Sequence, residues 1–381
     1  MNQRGEILAR AERSEVKSMR AKNREANGER AARTGVTAAQ PFDVSLVVPV
    51  RNEEKSLPAL FDSIRRQTHQ PAEVILVDGG STDETVKLAR EIASASGAPA
   101  LRVIEATEAT PGRGRNIGIA AARTEWVALT DAGIRLEPEW LESLLAVARA
   151  DADVKVVYGN YEASVGSFFE RCAALVYLPP KVERAGGRLR GPSIASTLLR
   201  REVWEAVGGF PDLRAAEDLF FMEHIKRLNF KTGYAPRATV WWQLQPTLAK
   251  TFRKFVLYSR HNVWAGRQWD WHYGLARQYA FNLIFFALAL AHSAWWLLLP
   301  VAWTLARAAK LIYVRREGRG LAWLSNPLQF AGVIFVMLAI DLATFVGWAQ
   351  AAWQRGEGVV AGRAAAARLS VPESSSEQKP Q

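Results

Sequence analysis

Three short apolar runs, each closed by acidic or turn-forming residues, constrain this chain more than anything else in it. Val44-Ser-Leu-Val-Val-Pro-Val50 leads into Arg51-Asn-Glu-Glu54. Val74-Ile-Leu-Val-Asp78 leads into Gly79-Gly-Ser-Thr-Asp83, and Trp126-Val-Ala-Leu-Thr-Asp131 into Ala132-Gly133. Short runs of this kind read as buried strands. Helix-length stretches separate them at 56–68, 83–94 and 113–122, and a further strand is expected at 101–104. Such alternation folds as an α/β layer structure with a parallel sheet and right-handed crossovers. A ligand of that sheet sits outside the carboxyl ends of its strands. Glu53, Asp78 and Asp131 are therefore expected on one rim.

A chain of 381 residues holds one large domain or two small ones. Its net charge of +11 is concentrated near the N-terminus and around the late apolar segments. Such charge is either a solvated face or, beside apolar spans, a contact for anionic lipid. No nucleic-acid partner is expected, because no binding module or aromatic-interleaved basic patch occurs. Cys172 is the single cysteine, so no intramolecular disulfide forms. It adjoins the apolar stretch 173–178 and reads as a core thiol rather than a nucleophile.

Residues 1–40 are rich in Arg, Glu and Ala and lack the apolar groups to fold alone. A solvated helix over 7–33, with pairs such as Glu6 and Arg10 one turn apart, is the alternative to a disordered extension. No apolar signal-peptide core is present. Past Asp131 the pattern predicts helices at 138–149 and 167–178, strands at 154–158 and 194–200, and a basic Gly-rich loop at 186–192. A turn at 208–212 precedes Glu217-Asp218, which opens a helix running to 228. Acids in a first turn also simply suit the helix dipole. The Gly114-x-x-x-Gly118 spacing is neither the dinucleotide fingerprint nor a P-loop. Arg113 and Arg115, at the start of its helix, suit an anion.

Residues 280–305 and 328–349 are almost wholly apolar and long enough to span a bilayer, which takes about 20 residues. Trp295, Trp296 and Trp303 fall in the first run, and Trp348 and Trp353 near the end of the second, as interfacial tryptophans would. Pro300 marks a candidate kink in the first run. Asp341 must face protein or water, with His292 its candidate partner. Arg307, Lys310, Arg315, Arg316 and Arg319 lie between the runs and favour the cytoplasm. Two full spans would place that loop on the side opposite a cytoplasmic N-terminal domain. Three resolutions stay open: the first run is a re-entrant hairpin, it holds two short passes, or the loop charge is overridden.

Taken together, Val47-Val-Pro-Val-Arg-Asn-Glu-Glu54, Val77-Asp-Gly-Gly-Ser-Thr-Asp83, Gly114-Arg-Asn-Ile-Gly118, Leu129-Thr-Asp-Ala-Gly133, Val207-Gly-Gly-Phe210 and Glu217-Asp218 resemble the family-2 glycosyltransferases. The resemblance covers roughly residues 43–260. It implies a GT-A nucleotide-sugar-binding domain with a mostly parallel sheet flanked by helices, followed by a helical membrane region. The division it suggests is an extension over 1–40, the GT-A domain over 41–245, amphipathic juxtamembrane helices over 246–278, transmembrane helices over 279–353 and a disordered tail over 354–381. Pro49, Arg51, Glu53, Asp78, Arg115 and Asp131 would bind the donor, with Asp78 accepting from the base and Asp131 near ribose and diphosphate. Asp218, beside Glu217, matches the family's catalytic base. In an inverting transfer such a carboxylate takes the proton of the attacking hydroxyl.

Two positions depart from the family pattern. Gly133 stands where the Asp-x-Asp motif has its second Asp, and Trp242 stands near a position often held by His. The leaving diphosphate still needs its charge stabilised. Mg²⁺ or Mn²⁺ bound through Asp131 and the diphosphate is one arrangement. Cationic side chains are the other, with Arg113, Arg115, Arg253, Lys254 and Arg260 as candidates; the null for the last three is an ordinary basic juxtamembrane segment. A Gln-x-x-Arg-Trp motif, found in processive members, is absent. The leading reading is an inverting, multi-pass enzyme of the cell (inner) membrane with its catalytic domain facing the cytoplasm. It would move sugar from a nucleotide-sugar to a lipid-linked or other glycan acceptor in cell-envelope biogenesis. The rivals are a transferase that loads sugar directly onto polyprenyl phosphate, and a non-catalytic nucleotide-sugar-binding subunit of a membrane assembly.

Overall fold

The computed structural model describes residues 42–94, 100–184, 186–320, 323 and 326–354. The extension expected over 1–40 lies outside these residues, as does all but the first residue of the tail. The strands and helices at the start of the domain are β1 Val44–Val50, α1 Leu57–Arg65, β2 Glu73–Asp78, α2 Thr85–Ser94, β3 Leu101–Glu105, α3 Pro111–Ala121 and β4 Trp126–Leu129. Next come β5 Ile134–Leu136, α4 Trp140–Ala150, β6 Val156–Ser164, α5 Phe168–Tyr177, the hairpin β7 Val182–Arg184 with β8 Gly187–Leu189, β9 Thr197–Arg200, α6 Arg201–Val207, α7 Glu217–Arg227 and β10 Thr232–Gln243. Part of the expected Gly-rich loop is thus paired as a hairpin. Gly186 and Gly187 supply the positive φ angles its turn needs.

The main sheet has the order β3-β2-β1-β4-β9-β6-β10-β5. β1 to β4 run parallel, and β6 and β10 share their direction through β9, which opposes both β4 and β6. β5 also runs against its neighbour β10. The expected mostly parallel sheet with flanking helices is therefore present. Alternation in β1 sends Val44, Leu46 and Val48 to one face, against Leu57, Phe61, Trp140 and Leu144. It sends Val47 to the other, against Ile119, Leu129 and Phe221. Burial on both faces is why these strands read as continuous apolar runs.

Beyond the sheet lie α8 Leu248–Trp264, α9 Gly274–Ala291, α10 Leu298–Val314 and α11 Pro327–Trp353. Among the described residues, three helical stretches are long and apolar enough to cross a membrane: Trp269–Ala291, Ala294–Val314 and Pro327–Trp353. The first starts ten residues before position 279. The apolar run at 280–305 is not one helix. It breaks at His292 and Ser293, where the Ser293 hydroxyl caps the next turn. The run therefore belongs to two helices, as either a re-entrant hairpin or two passes requires.

His292 is not the partner of Asp341. Arg307 of α10 reaches Asp341 of α11 with two bonds, 2.7 and 3.2 Å, and the Tyr279 hydroxyl of α9 donates to the same carboxylate at 2.8 Å. His292 sits at the exposed break. The hydropathy run hid the reason: the charge that balances Asp341 enters from the middle of α10. α11 also holds to the sheet domain. Val333 and Val336 pack with Cys172 and Leu175 of α5 and with Ile312 of α10. Gly347 lies so close to α8 that an added Cβ would fall 2.4 Å from the Val256 carbonyl.

Removing one member of this pair leaves the other charged and half-buried. Asp341→Ala and Arg307→Ala are each expected to lower stability by about 2–3 kcal/mol in detergent, and the double variant by less than the sum. Thermal unfolding of the four proteins measures this.

Candidate active site

The site lies where β1, β2 and β4 end. The loops after β1 and β2 are laced together. Asn52 N–H donates to the Ser81 hydroxyl, Thr82 N–H to the Asn52 side chain, and Glu53 N–H to the Thr85 hydroxyl, each at 2.8 Å. Asp78 is buried and receives N–H bonds from Gly80 and Ser81, at 2.9 and 3.0 Å, and the Ser81 hydroxyl. Its carboxylate thus fixes the turn that forms the rim. Asp83 accepts from Thr85 N–H at 3.1 Å and opens α2. Ser56 starts α1 without capping it; its hydroxyl turns back to Glu53.

Helix α3 carries the central side chain. Its glycines allow close approach to the strands. A Cβ at Gly118 would stand 2.3 Å from Val47 Cγ1, one at Gly114 3.2 Å from Pro49, and one at Gly112 2.6 Å from the Pro211 carbonyl. The Gly114-x-x-x-Gly118 spacing is therefore a packing face. Pressed onto the sheet, α3 directs Arg115, only 5 % exposed, into the site. One guanidinium nitrogen donates to Asp131 at 2.7 Å and another to Glu217 at 2.9 Å. Burial opposes the Arg115 charge, but Asp131 and Glu217 hold it firmly protonated. The neighbouring Asn116 pins the turn before α7: it donates to the Phe210 carbonyl and accepts from Phe210 N–H, both at 2.8 Å, and from Trp204 Nε1 at 2.9 Å.

Glu217 and Asp218 open α7 after Ala216, whose φ of 69° is a left-handed conformation unusual for a residue with a Cβ. The two acids are held differently. Glu217 is buried and paired with Arg115, while Asp218 is half-buried and, among the described residues, has no ion-pair partner. Burial raises the carboxyls of both above the usual range, with Arg115 opposing. Glu53 is also raised, by burial first and then by Asp131 and Asp83, against the bond from Ser56. Its carboxylate stands 3.9 Å from where a side chain at Gly133 would begin.

Of the remaining cations, Arg51, Arg113 and Arg253 are exposed. Arg260 donates to Gln354 and lies over the Trp264 ring. Lys254 differs from all of these. Its ammonium lies 4.3 Å from the Trp242 ring centroid and 5.4 Å from that of Tyr258. Burial lowers its pKa to about 8, and the charge of Asp131 acts against that fall. Tyr258 is half-buried near the site acids, and burial, then the charges of Asp218, Glu217 and Asp131, raise its hydroxyl pKa. Sequence reasoning missed Tyr258 and left Lys254 among basic juxtamembrane residues; only the turn of α8 toward Trp242 distinguishes them.

The residues present do not make a protein-held metal site. Gly133 offers no donor, one Asp131 oxygen is taken by Arg115, and Trp242 is covered by an ammonium group. Among the described residues no cluster of three His, Cys, Asp or Glu side chains could hold a metal ion.

A mostly parallel sheet whose strand ends gather Glu53, Asp78 and Asp131 beside an acidic helix start defines an α/β domain with an acidic candidate ligand site at its rim. Residues 45–205 match the model of glycosyl transferase family 2. The putative glycosyltransferase EpsH of Bacillus subtilis is 33% identical over 190 residues, 47% of this chain and 54% of that protein. The O-antigen chain rhamnosyltransferase RfbN of Salmonella typhimurium is 25% identical over 224 residues, 56% of this chain and 70% of that one. An undecaprenyl-phosphate 4-deoxy-4-formamido-L-arabinose transferase of Serratia proteamaculans is 30% identical over 151 residues, 39% of this chain and 45% of that one. The chain spans about half the length of the first curated relatives it matches. Among solved structures, S. aureus TarS 1–349 in complex with UDP-GlcNAc is 19% identical with a TM-score of 0.42, over 80% of this chain and 92% of that one.

Arg115→Met would leave Glu217 buried without its cation, a loss of about 3 kcal/mol at neutral pH. The carboxyls of Glu217 and Asp218 are raised, so the stability they lend is complete below the ordinary carboxylate range and fades as pH rises through their raised values. Without Arg115 that fading steepens. The gap in melting temperature between parent and variant is expected to be small near about pH 5 and to widen toward about pH 8.

Proposed function

We propose that this protein is an inverting glycosyltransferase that moves a sugar from a nucleotide-sugar donor to a membrane-associated, lipid-linked glycan acceptor in cell-envelope biosynthesis. The observation that carries the reading is the division of labour between the adjacent acids. Glu217 is committed to Arg115, while Asp218 stands without an ion-pair partner at the mouth of a family-2 domain. Asp218 acts as base. It takes the proton of the acceptor hydroxyl while that oxygen bonds to the anomeric carbon. The bond from that carbon to the diphosphate oxygen breaks, and the nucleoside diphosphate departs with the electron pair. A carboxyl raised above the usual aspartate range suits this task near neutral pH. Pro49, Arg51, Glu53 and Asp78 line the donor side. Mg²⁺ or Mn²⁺ brought by the donor would be held through Asp131 and the diphosphate.

A membrane acceptor is supported by the joint between site and apolar helices. α8 carries Lys254 and Tyr258 at the site and packs along α11. Glu317, in the loop between α10 and α11, pairs with Arg190 at 2.9 Å and Lys181 at 3.4 Å of the sheet domain, and Arg315 donates to the Leu178 carbonyl. That loop and the domain therefore share one side of the membrane, and α9 with α10 form a hairpin that leaves and returns. Arg315, Arg316 and Arg319 support the cytoplasm as that side, and with it the reading of an inner-membrane protein. The undecaprenyl-phosphate transferase relative supports a second reading, transfer directly onto polyprenyl phosphate.

Asp218→Asn is expected to lower turnover at least a thousandfold while donor binding stays within a few-fold; unchanged turnover would reject the base assignment. For the membrane arrangement, single cysteines replace Ser293 and Arg316 in vesicles of known orientation. Impermeant thiol reagent applied to the cytoplasmic face is expected to label position 316 only. Equal labelling of both would place the hairpin tip on the same side as the domain.

A further inference from the structure

Lys254 is a half-buried cation with no ion-pair partner among the described residues. Its ammonium is bounded on two sides by aromatic faces, Trp242 at 4.3 Å and Tyr258 at 5.4 Å. Aromatic faces stabilise a cation but accept no full charge from it. A desolvated charge of this kind is costly unless something completes it. Asp131, the acid expected beside the donor's diphosphate, is close enough for its charge to favour the protonated amine.

The site's buried cation cannot serve. Arg115 donates to two carboxylates and so brings no net positive charge. Glu53, Asp78, Asp131, Glu217 and Asp218 together make the pocket acidic, which repels a diphosphate. Arg113 and Arg253 are exposed, and Arg260 is bound to Gln354. No protein-held metal offsets this acidity.

We propose that Lys254, seated on Trp242, is the donor-binding residue that receives the diphosphate of the nucleotide-sugar and its nucleoside diphosphate product. This rests on the glycosyltransferase reading above. Trp242 then has a role of its own: at the position where a metal ligand would stand, its ring holds an ammonium group instead. Arg or Lys serves equally for charge, but only the slender ammonium group fits between two rings at these distances, so Arg is expected to substitute incompletely.

The test titrates UDP, GDP and dTDP into the full-length protein in detergent with EDTA, and compares the parent with Lys254→Met and Lys254→Arg. The parent is expected to bind one of the three without metal. Lys254→Met should weaken that binding at least tenfold, Lys254→Arg by a smaller factor, and the matching nucleoside without phosphates should bind all three proteins alike, which also shows that they are folded. Adding Mg²⁺ should not restore the Met variant. Equal diphosphate affinity in parent and Lys254→Met, or parental binding only with metal, would overturn the assignment and leave the glycosyltransferase reading standing. A parent that binds no nucleotide under any condition would overturn both. Polyprenyl phosphate in nanodiscs forms the second arm: its affinity is expected to be the same for parent and Met variant, and a loss confined to it would move Lys254 to the acceptor and overturn the proposal.

Discussion

The bridge made by Arg115 is the interaction on which the site depends. One guanidinium joins the end of β4 to the start of α7, contacting residues 16 and 102 positions away in sequence. Two carboxylates and one buried cation form a unit that is stable only when all three are present. The bridge fixes the positions of the Asp131 and Glu217 carboxylates. Glu217 is committed in this way, while the adjacent Asp218 has no ion-pair partner among the described residues. The glycines of α3 are the precondition. Any side chain at Gly118 would push the helix off Val47 and withdraw Arg115 from the site.

Much of this was legible in the sequence, for a physical reason. Strands buried on both faces leave uninterrupted apolar runs, and acids placed where those runs stop mark the ligand-facing rim. β1, β2 and β4 and the residues Glu53, Asp78 and Asp131 were read in this way. What escaped was what depends on side chains meeting across the fold. The glycine spacing of α3 matches no phosphate-binding fingerprint, and its use, close packing on β1, shows only where the helix meets Val47 and Pro49. Asp341 was paired on paper with His292 because both interrupt apolar runs, yet Arg307 reaches it instead. Hydropathy registered 280–305 as one run because a helix break costs a single turn and leaves the composition unchanged.

Lys254 shows the same limit from the other direction. In sequence it is one of several basic residues before an apolar segment, and an ordinary lipid-facing charge was the better reading. The structure turns it inward onto Trp242, the residue that departs from the family pattern. Gly133, the other departure, faces the Glu53 carboxylate. The two changes thus lie beside one another, with an ammonium that has no ion-pair partner among the described residues. α8 links this site to the membrane helices through Gly347, and Glu317 ties their connecting loop back to the sheet domain. The candidate site and the apolar helices are thus joined by packing rather than by a tether.

The central claim is that this pocket transfers sugar. Its most direct test is nucleotide release by the purified full-length protein in detergent, using UDP-, GDP- and dTDP-sugars with and without polyprenyl-linked acceptors. The account predicts release from one donor class that requires the acceptor, with the sugar recovered on the lipid. Donor binding without release across polyprenyl-phosphate and lipid-linked glycan acceptors alike would contradict it and favour a nucleotide-sugar-binding subunit.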